Sequence, residues 1–202
     1  MLTLVSDNAL LLSRAEKSGF NNATSSDPVI LKYEIVRNDK VIGKMEAVKR
    51  DKGNMIEYQM ESFVSVSLIV QLSIYTKVVG VFHQGQLVSG SVIRKVNDNT
   101  KVNAKIILQN DRYLIQEEDE RSELNEKIMY TSACLMHLEP VGLKRIFSEN
   151  YKKFVTVREL RPHYYELQLP DGNKNFYSYA NGICIGAEVN TNLSKAFFRL
   201  KK

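Results

Sequence analysis

The sequence contains no apolar run approaching the roughly 18 residues of a membrane-spanning helix, which excludes a helical bilayer span. It has only two cysteines, Cys134 and Cys184. That excludes a disulfide-dense scaffold, and no spacing rule favours the one bridge two thiols permit; free buried thiols are the commoner outcome. Catalytic motifs are missing as well: there is no Gly-x-Ser-x-Gly elbow, P-loop, dinucleotide fingerprint after a first strand or His-Glu-x-x-His. Internal repeats and low-complexity stretches are absent. Nothing in the residues specifies a biochemical activity.

What is present is an ordinary globular balance. The 202 residues are 44% hydrophobic, 25% charged and 9% aromatic. A single domain of this length buries about 70% of the surface its unfolded chain exposes, so no metal or disulfide is needed to hold it. The net charge of +5, from 28 basic and 23 acidic residues, raises the question of a polyanionic partner. The basic runs are short, as in Lys49-Arg50-Asp51-Lys52 and Tyr151-Lys152-Lys153, and acids interrupt or adjoin them. A nucleic-acid footprint needs concentrated positive charge with aromatic platforms between, so no nucleic-acid partner is expected.

The turn-forming cluster Asn21-Asn22-Ala23-Thr24-Ser25-Ser26-Asp27-Pro28 separates a loose leading segment, 1–28, from one periodic domain, 29–202. The leading segment has a short apolar patch from Ala9 to Leu12, but Asp7 precedes it and Arg14, Glu16 and Lys17 follow. It is a poor export signal, and reads as a degenerate one or as a helix.

From Val29 onward the dominant pattern is period two, the mark of half-buried strands. Leu31, Tyr33 and Ile35 alternate with Lys32 and Glu34, and after Asn38-Asp39-Lys40 the alternation resumes over 41–48. In 56–74 the even positions are almost all apolar, from Ile56 and Tyr58 to Leu72 and Ile74. At about 3.3 Å per residue this run would span roughly 60 Å if straight, so it must bend, break or curl. Further strands are predicted at 77–83, 87–96, 101–109, 113–116, 154–160, 164–169, 176–180, 183–189 and 195–200, with 117–120 as an acidic loop. Leu124, Ile128, Leu135 and Leu138 fit one helical face, with Ser122 as N-cap and Pro140 beyond the end, so one helix is predicted over 122–139. The expected fold is all-β with one short helix: an antiparallel meander of about ten strands curled into a barrel or half-barrel.

Two groupings carry candidate chemistry. Cys134 and His137 have the spacing of a metal-ligand pair, with Cys184, His83 and His163 as remote completions, but no second pair at fixed spacing supports a metal site. Tyr164, Tyr165, Tyr177 and Tyr179 cluster in two predicted neighbouring strands, with Tyr33, Tyr58 and Tyr75 in the first half. Such rings would line a ligand cavity or pair across strands to stabilise the sheet. The candidate ligand-binding set is Tyr58, Val66, Val70, Leu72, Tyr165, Tyr177 and Tyr179. No catalytic residue, metal or cofactor is implied.

The opening hairpin Tyr33-Glu34-Ile35-Val36-Arg37-Asn38-Asp39-Lys40-Val41-Ile42-Gly43-Lys44-Met45 resembles the start of an uncharacterised family of bacterial exported proteins. The blocks Leu138-Glu139-Pro140-Val141-Gly142, Arg145-Ile146-Phe147-Ser148-Glu149, Tyr165-Glu166-Leu167-Gln168-Leu169-Pro170-Asp171-Gly172 and Asn175-Phe176-Tyr177-Ser178-Tyr179-Ala180-Asn181-Gly182 are similar to its second half. The resemblance implies an all-β domain of unknown function in the periplasm or outer envelope. The leading expectation is a non-enzymatic envelope domain binding an apolar or amphipathic small molecule in its concave face. The alternative is a structural or protein-interaction scaffold with a filled core. A hydrolase or metal enzyme using Cys134, His137 or His163 comes third.

Overall fold

The computed structural model describes residues 26–67, 71–191 and 194–201; the leading segment up to residue 25 and candidate residue Val70 lie outside them. The strands are β1 (Val29–Arg37), β2 (Lys40–Asp51), β3 (Met55–Ser67), β4 (Gln71–His83), β5 (Gln86–Val96), β6 (Asn99–Gln109), β7 (Arg112–Glu117), β8 (Glu120–Leu124), β9 (Arg145–Ser148), β10 (Lys153–Arg161), β11 (Tyr164–Gln168), β12 (Lys174–Ala180), β13 (Ile183–Thr191) and β14 (Ser194–Leu200). All fourteen join one antiparallel sheet in the order β8-β7-β6-β5-β4-β3-β2-β1-β14-β13-β12-β11-β10-β9. Two meanders, β1 to β8 and β9 to β14, are thus welded by pairing of β1 with β14.

The sheet does not close, since β8 and β9 are its two edges. It nevertheless curls until those edges approach: Lys152, in the turn after β9, pairs with Glu117 at the end of β7. The expected half-barrel is therefore the observed architecture, with more strands than the alternation revealed. Polar two-residue turns make the meander tight. Asn38-Asp39, Asn97-Asp98 and Asn110-Asp111 all sit at positive φ, where Asn and Asp are tolerated and where the turn's twist matches that of the flanking strands.

Three sequence expectations are corrected. The long run 56–74 is a hairpin, β3 against β4, with Val64 opposite Ile74 and Val66 opposite Leu72. The partner numbers sum to an even total, so even residues stay on one face through the turn and the alternation shows no break. The acidic stretch is the turn from β7 to β8, as expected, but Ser122 pairs with Ile115 in β8 instead of capping a helix. Last, the predicted helix over 122–139 does not form; after β8 the chain is irregular apart from one 3-10 turn at Ser132–Cys134. Residues 133–137 are all buried in succession, which an amphipathic helix would not require.

The core lies on the concave side. Tyr33, Ile35, Met45, Leu87, Val92, Ala104 and Ile106 project into it from the first meander, and Val155, Val157, Tyr165, Leu167 and Ala187 from the second. The irregular segment 125–144 sits against both groups.

Candidate functional site

Segment 125–144 links the two sheet edges, and its backbone is satisfied partly by short turns of its own, such as His137 N–H to Cys134 O, and partly by the sheet. Leu87 N–H donates to Ile128 O at 2.8 Å, Phe147 N–H to Tyr130 O at 3.0 Å and Cys184 N–H to Met136 O at 3.1 Å. These are bonds to β5, β9 and β13, so the segment touches strands from both meanders. That distribution of partners, with the spacing of apolar residues a helix would also show, explains why a buried irregular plug forms.

Tyrosine hydroxyls complete the attachment. Tyr179 donates to Leu135 O at 2.9 Å and Tyr165 to the Glu139 carboxylate at 2.8 Å, while within the segment Tyr130 donates to Leu138 O. Tyr113 donates to Leu87 O at 2.8 Å and accepts from Ile128 N–H at 3.3 Å. Glu139 also receives His163 Nδ1 at 2.9 Å. Burial raises the pKa of Tyr58 to about 12 and pushes those of Tyr130, Tyr165, Tyr177 and Tyr179 up further, so all remain protonated donors.

The floor beneath the plug is cut away by glycine. Gly80 and Gly90 face one another across β4 and β5, and a Cβ on Gly80 would lie 3.2 Å from Thr131 Oγ1 and 3.5 Å from the Ala133 Cβ. Glycine inside a strand marks such close approach, and this was the available sequence signal for the plug. A second anchor is Glu149, fully buried just past β9. Its carboxylate accepts from Ser132 N–H at 3.1 Å, Ser132 Oγ–H and Ala133 N–H at 3.3 Å. Burial raises its pKa, opposed by these donors and Thr131.

The six candidate ligand residues among the described ones divide. Tyr58, Tyr165, Tyr177 and Tyr179 are buried around the plug, and Tyr165 packs edge-on against Tyr179 with ring centroids 5.6 Å apart. Val66 and Leu72 face one another at the far end of the β3–β4 hairpin, eight residues and about 26 Å along the strand from Tyr58. The structure does not bring the two groups together. Tyr165 is the one candidate bordering a groove of about 370 Å³ formed where Leu143 and Lys144 cross Val157 and Arg158.

The residues of the metal or nucleophile reading are dispersed by their partners. Cys134 and Cys184 are free and buried, and burial pushes both thiols up to about 12. His83 contacts the Asn54 backbone and His163 holds Glu139. His137 lies beside the Tyr58 ring, centroids 6.1 Å apart. Neither of its ring nitrogens has a partner at hydrogen-bond geometry among the described residues. Burial lowers its pKa, against a smaller pull from the Ala47 backbone. Among the described residues no group of three or more His, Cys, Asp or Glu side chains is placed to hold a metal.

A family model described as Domain of unknown function (DUF6134) matches residues 33–201. The chain belongs to this family. The DUF6134 chain matches no curated protein. Among solved structures it is similar to the crystal structure of a beta-barrel-like protein, a domain of unknown function, DUF1849, from Brucella abortus. Identity is 13%, the TM-score 0.52, and the match covers 87% of this chain and 96% of that one. At that identity the similarity speaks for the fold: the DUF6134 domain shares a beta-barrel-like architecture with a protein that itself has no assigned function.

Proposed function

We propose that the domain is a non-enzymatic interaction module of the cell envelope, built as a scaffold with a filled core. The observation that carries this reading is the occupation of the concave face by the chain's own segment 125–144, whose carbonyls and carboxylate take up the hydroxyls of Tyr130, Tyr165 and Tyr179. A carrier for an apolar molecule needs a concave, largely pre-formed cavity with unspent polar groups to orient the guest. Here those groups are already engaged. The thiols are held protonated and inside, which favours a packing role over nucleophilic chemistry. Placement in the envelope rests on the resemblance of the opening hairpin and the later blocks to exported proteins.

Native mass spectrometry of the purified chain, followed by mild organic extraction, tests the filled scaffold. The expected result is the bare polypeptide mass. A co-purifying apolar molecule at near-stoichiometric amount would overturn the scaffold in favour of a carrier.

A further inference from the structure

The β3–β4 hairpin outruns its neighbours. The ladder from β2 to β3 ends at Gly43 opposite Val64, and the ladder from β5 to β4 ends at Val96 opposite Ile74. Residues 65–67 and 71–73 beyond those points pair as strand only with one another, although Asn97 clasps the Ser73 backbone at the base.

This projecting end is two-faced. Val64, Val66, Leu72 and Ile74 form one continuous apolar side, half-buried and aligned with the concave face. The other side is polar at the end, where Gln71 donates to Ser65 Oγ at 3.0 Å, and aromatic at its base, where Phe63, 47% exposed, lies opposite Tyr75. Residues 62–76 carry no charge.

The surroundings are basic. Lys44 stands opposite Phe63, Lys95 opposite Tyr75 and Arg94 opposite Thr76. Lys40 and Arg37 end the neighbouring hairpin, and Lys101 lies on β6. The nearby acids are fewer: Asp39 and Asp98 in turns, and Glu46 and Glu61, the last occupied by Lys77 at 3.7 Å and Tyr75 at 3.0 Å. The Val66–Leu72 pair lies about 10 Å beyond the row holding Phe63, Tyr75 and the two lysines. An interfacial element needs apolar side chains reaching about 5–10 Å into the headgroup boundary, aromatics at that boundary and cations above it.

We infer that the end of the β3–β4 hairpin docks on an anionic lipid surface. Val66 and Leu72 enter the acyl boundary, Phe63 and Tyr75 lie at headgroup level, and Lys44, Lys95 and Arg94 meet lipid phosphates. The inference names the partner of the interaction module and rests on that reading, but the two fail separately. Mass spectrometry reports on the core, and vesicle binding reports on the hairpin.

The test is flotation of the full chain with vesicles of phosphatidylcholine alone or mixed with phosphatidylglycerol. The chain is expected to float with the mixed vesicles, and less so as salt is raised. The pair Val66→Asp and Leu72→Asp should weaken this by about tenfold or more, and Lys44→Glu with Lys95→Glu should remove most of the preference for anionic lipid. Far-UV circular dichroism checks folding. If the aspartate pair does not fold, Val66→Ser with Leu72→Ser replaces it, with about a fivefold loss expected. Failure of the unmodified chain to float, or equal flotation of folded hairpin variants, overturns the inference. So does a homodimer that the hairpin substitutions dissociate while vesicle binding is absent; the face would then be a contact between copies.

Discussion

The plug and the projecting hairpin handle polar and apolar groups in opposite ways. Around segment 125–144 the chain draws polar atoms inside and answers nearly every one, with Glu149 gathering the donors of Ser132 and Ala133 and tyrosines reaching backbone carbonyls. At the end of β3 and β4 the chain does the reverse, carrying Val66 and Leu72 past the last paired residues of β2 and β5. The first arrangement is expensive to disturb, because each removed partner leaves a desolvated group behind. The second is expected to add less to folding, because Val66 and Leu72 are only half-buried and lie past the neighbouring ladders. The expectation is that stability concentrates where the interior is fixed, and that the hairpin end is the surface spare enough to serve the proposed binding.

The sharpest way to break that contrast is Glu149→Ala. It leaves Ser132 N–H, Ser132 Oγ–H and Ala133 N–H without their buried acceptor. A loss of about 3 kcal/mol is expected, measured as a fall in the urea midpoint. A change below about 0.5 kcal/mol would mean that water replaces the carboxylate freely and that the plug is loosely held.

Gly80→Val should follow, at about 2 kcal/mol. A valine suits a strand and would strengthen β4 if only propensity mattered. Its Cβ would crowd the Phe82 ring of its own strand at 3.1 Å and Thr131 Oγ1 of the plug at 3.2 Å, so destabilisation is expected unless both give way. Stabilisation measured by thermal unfolding would show that the Phe82 ring and Thr131 of segment 125–144 both move aside.

The same contrast explains what could be read from the residues alone. The alternation in β1, β2, β5 and β6 and the Asn-Asp turns announced the meander, because inward and outward faces differ strongly there. The even pairing of Val66 with Leu72 concealed a turn inside an apparently unbroken strand. The plug was hidden by an accident of spacing: Leu124, Ile128, Leu135 and Leu138 fit a helical face, yet the carbonyls of Ile128, Tyr130 and Met136 are taken by Leu87, Phe147 and Cys184 N–H groups distant in sequence. Tyr165, Tyr177 and Tyr179 lie together on neighbouring strands, whereas Val66 and Leu72 sit at the far end of the β3–β4 hairpin. Period two tells which face a residue is on, and not how far along the strand it lies.

The smallest effect on folding is expected at the hairpin. Val66→Ser with Leu72→Ser keeps both residues as a cross-strand pair and removes the apolar surface beyond the ladder ends. If that surface contributes little to the core, the urea midpoint should move by less than about 0.5 kcal/mol equivalent, against about 3 kcal/mol for Glu149→Ala. A loss near 2 kcal/mol would place Val66 and Leu72 inside the cooperative core and erase the distinction between the two regions. A small loss, with vesicle flotation reduced in the same protein, would separate the surface used for folding from the surface used for binding.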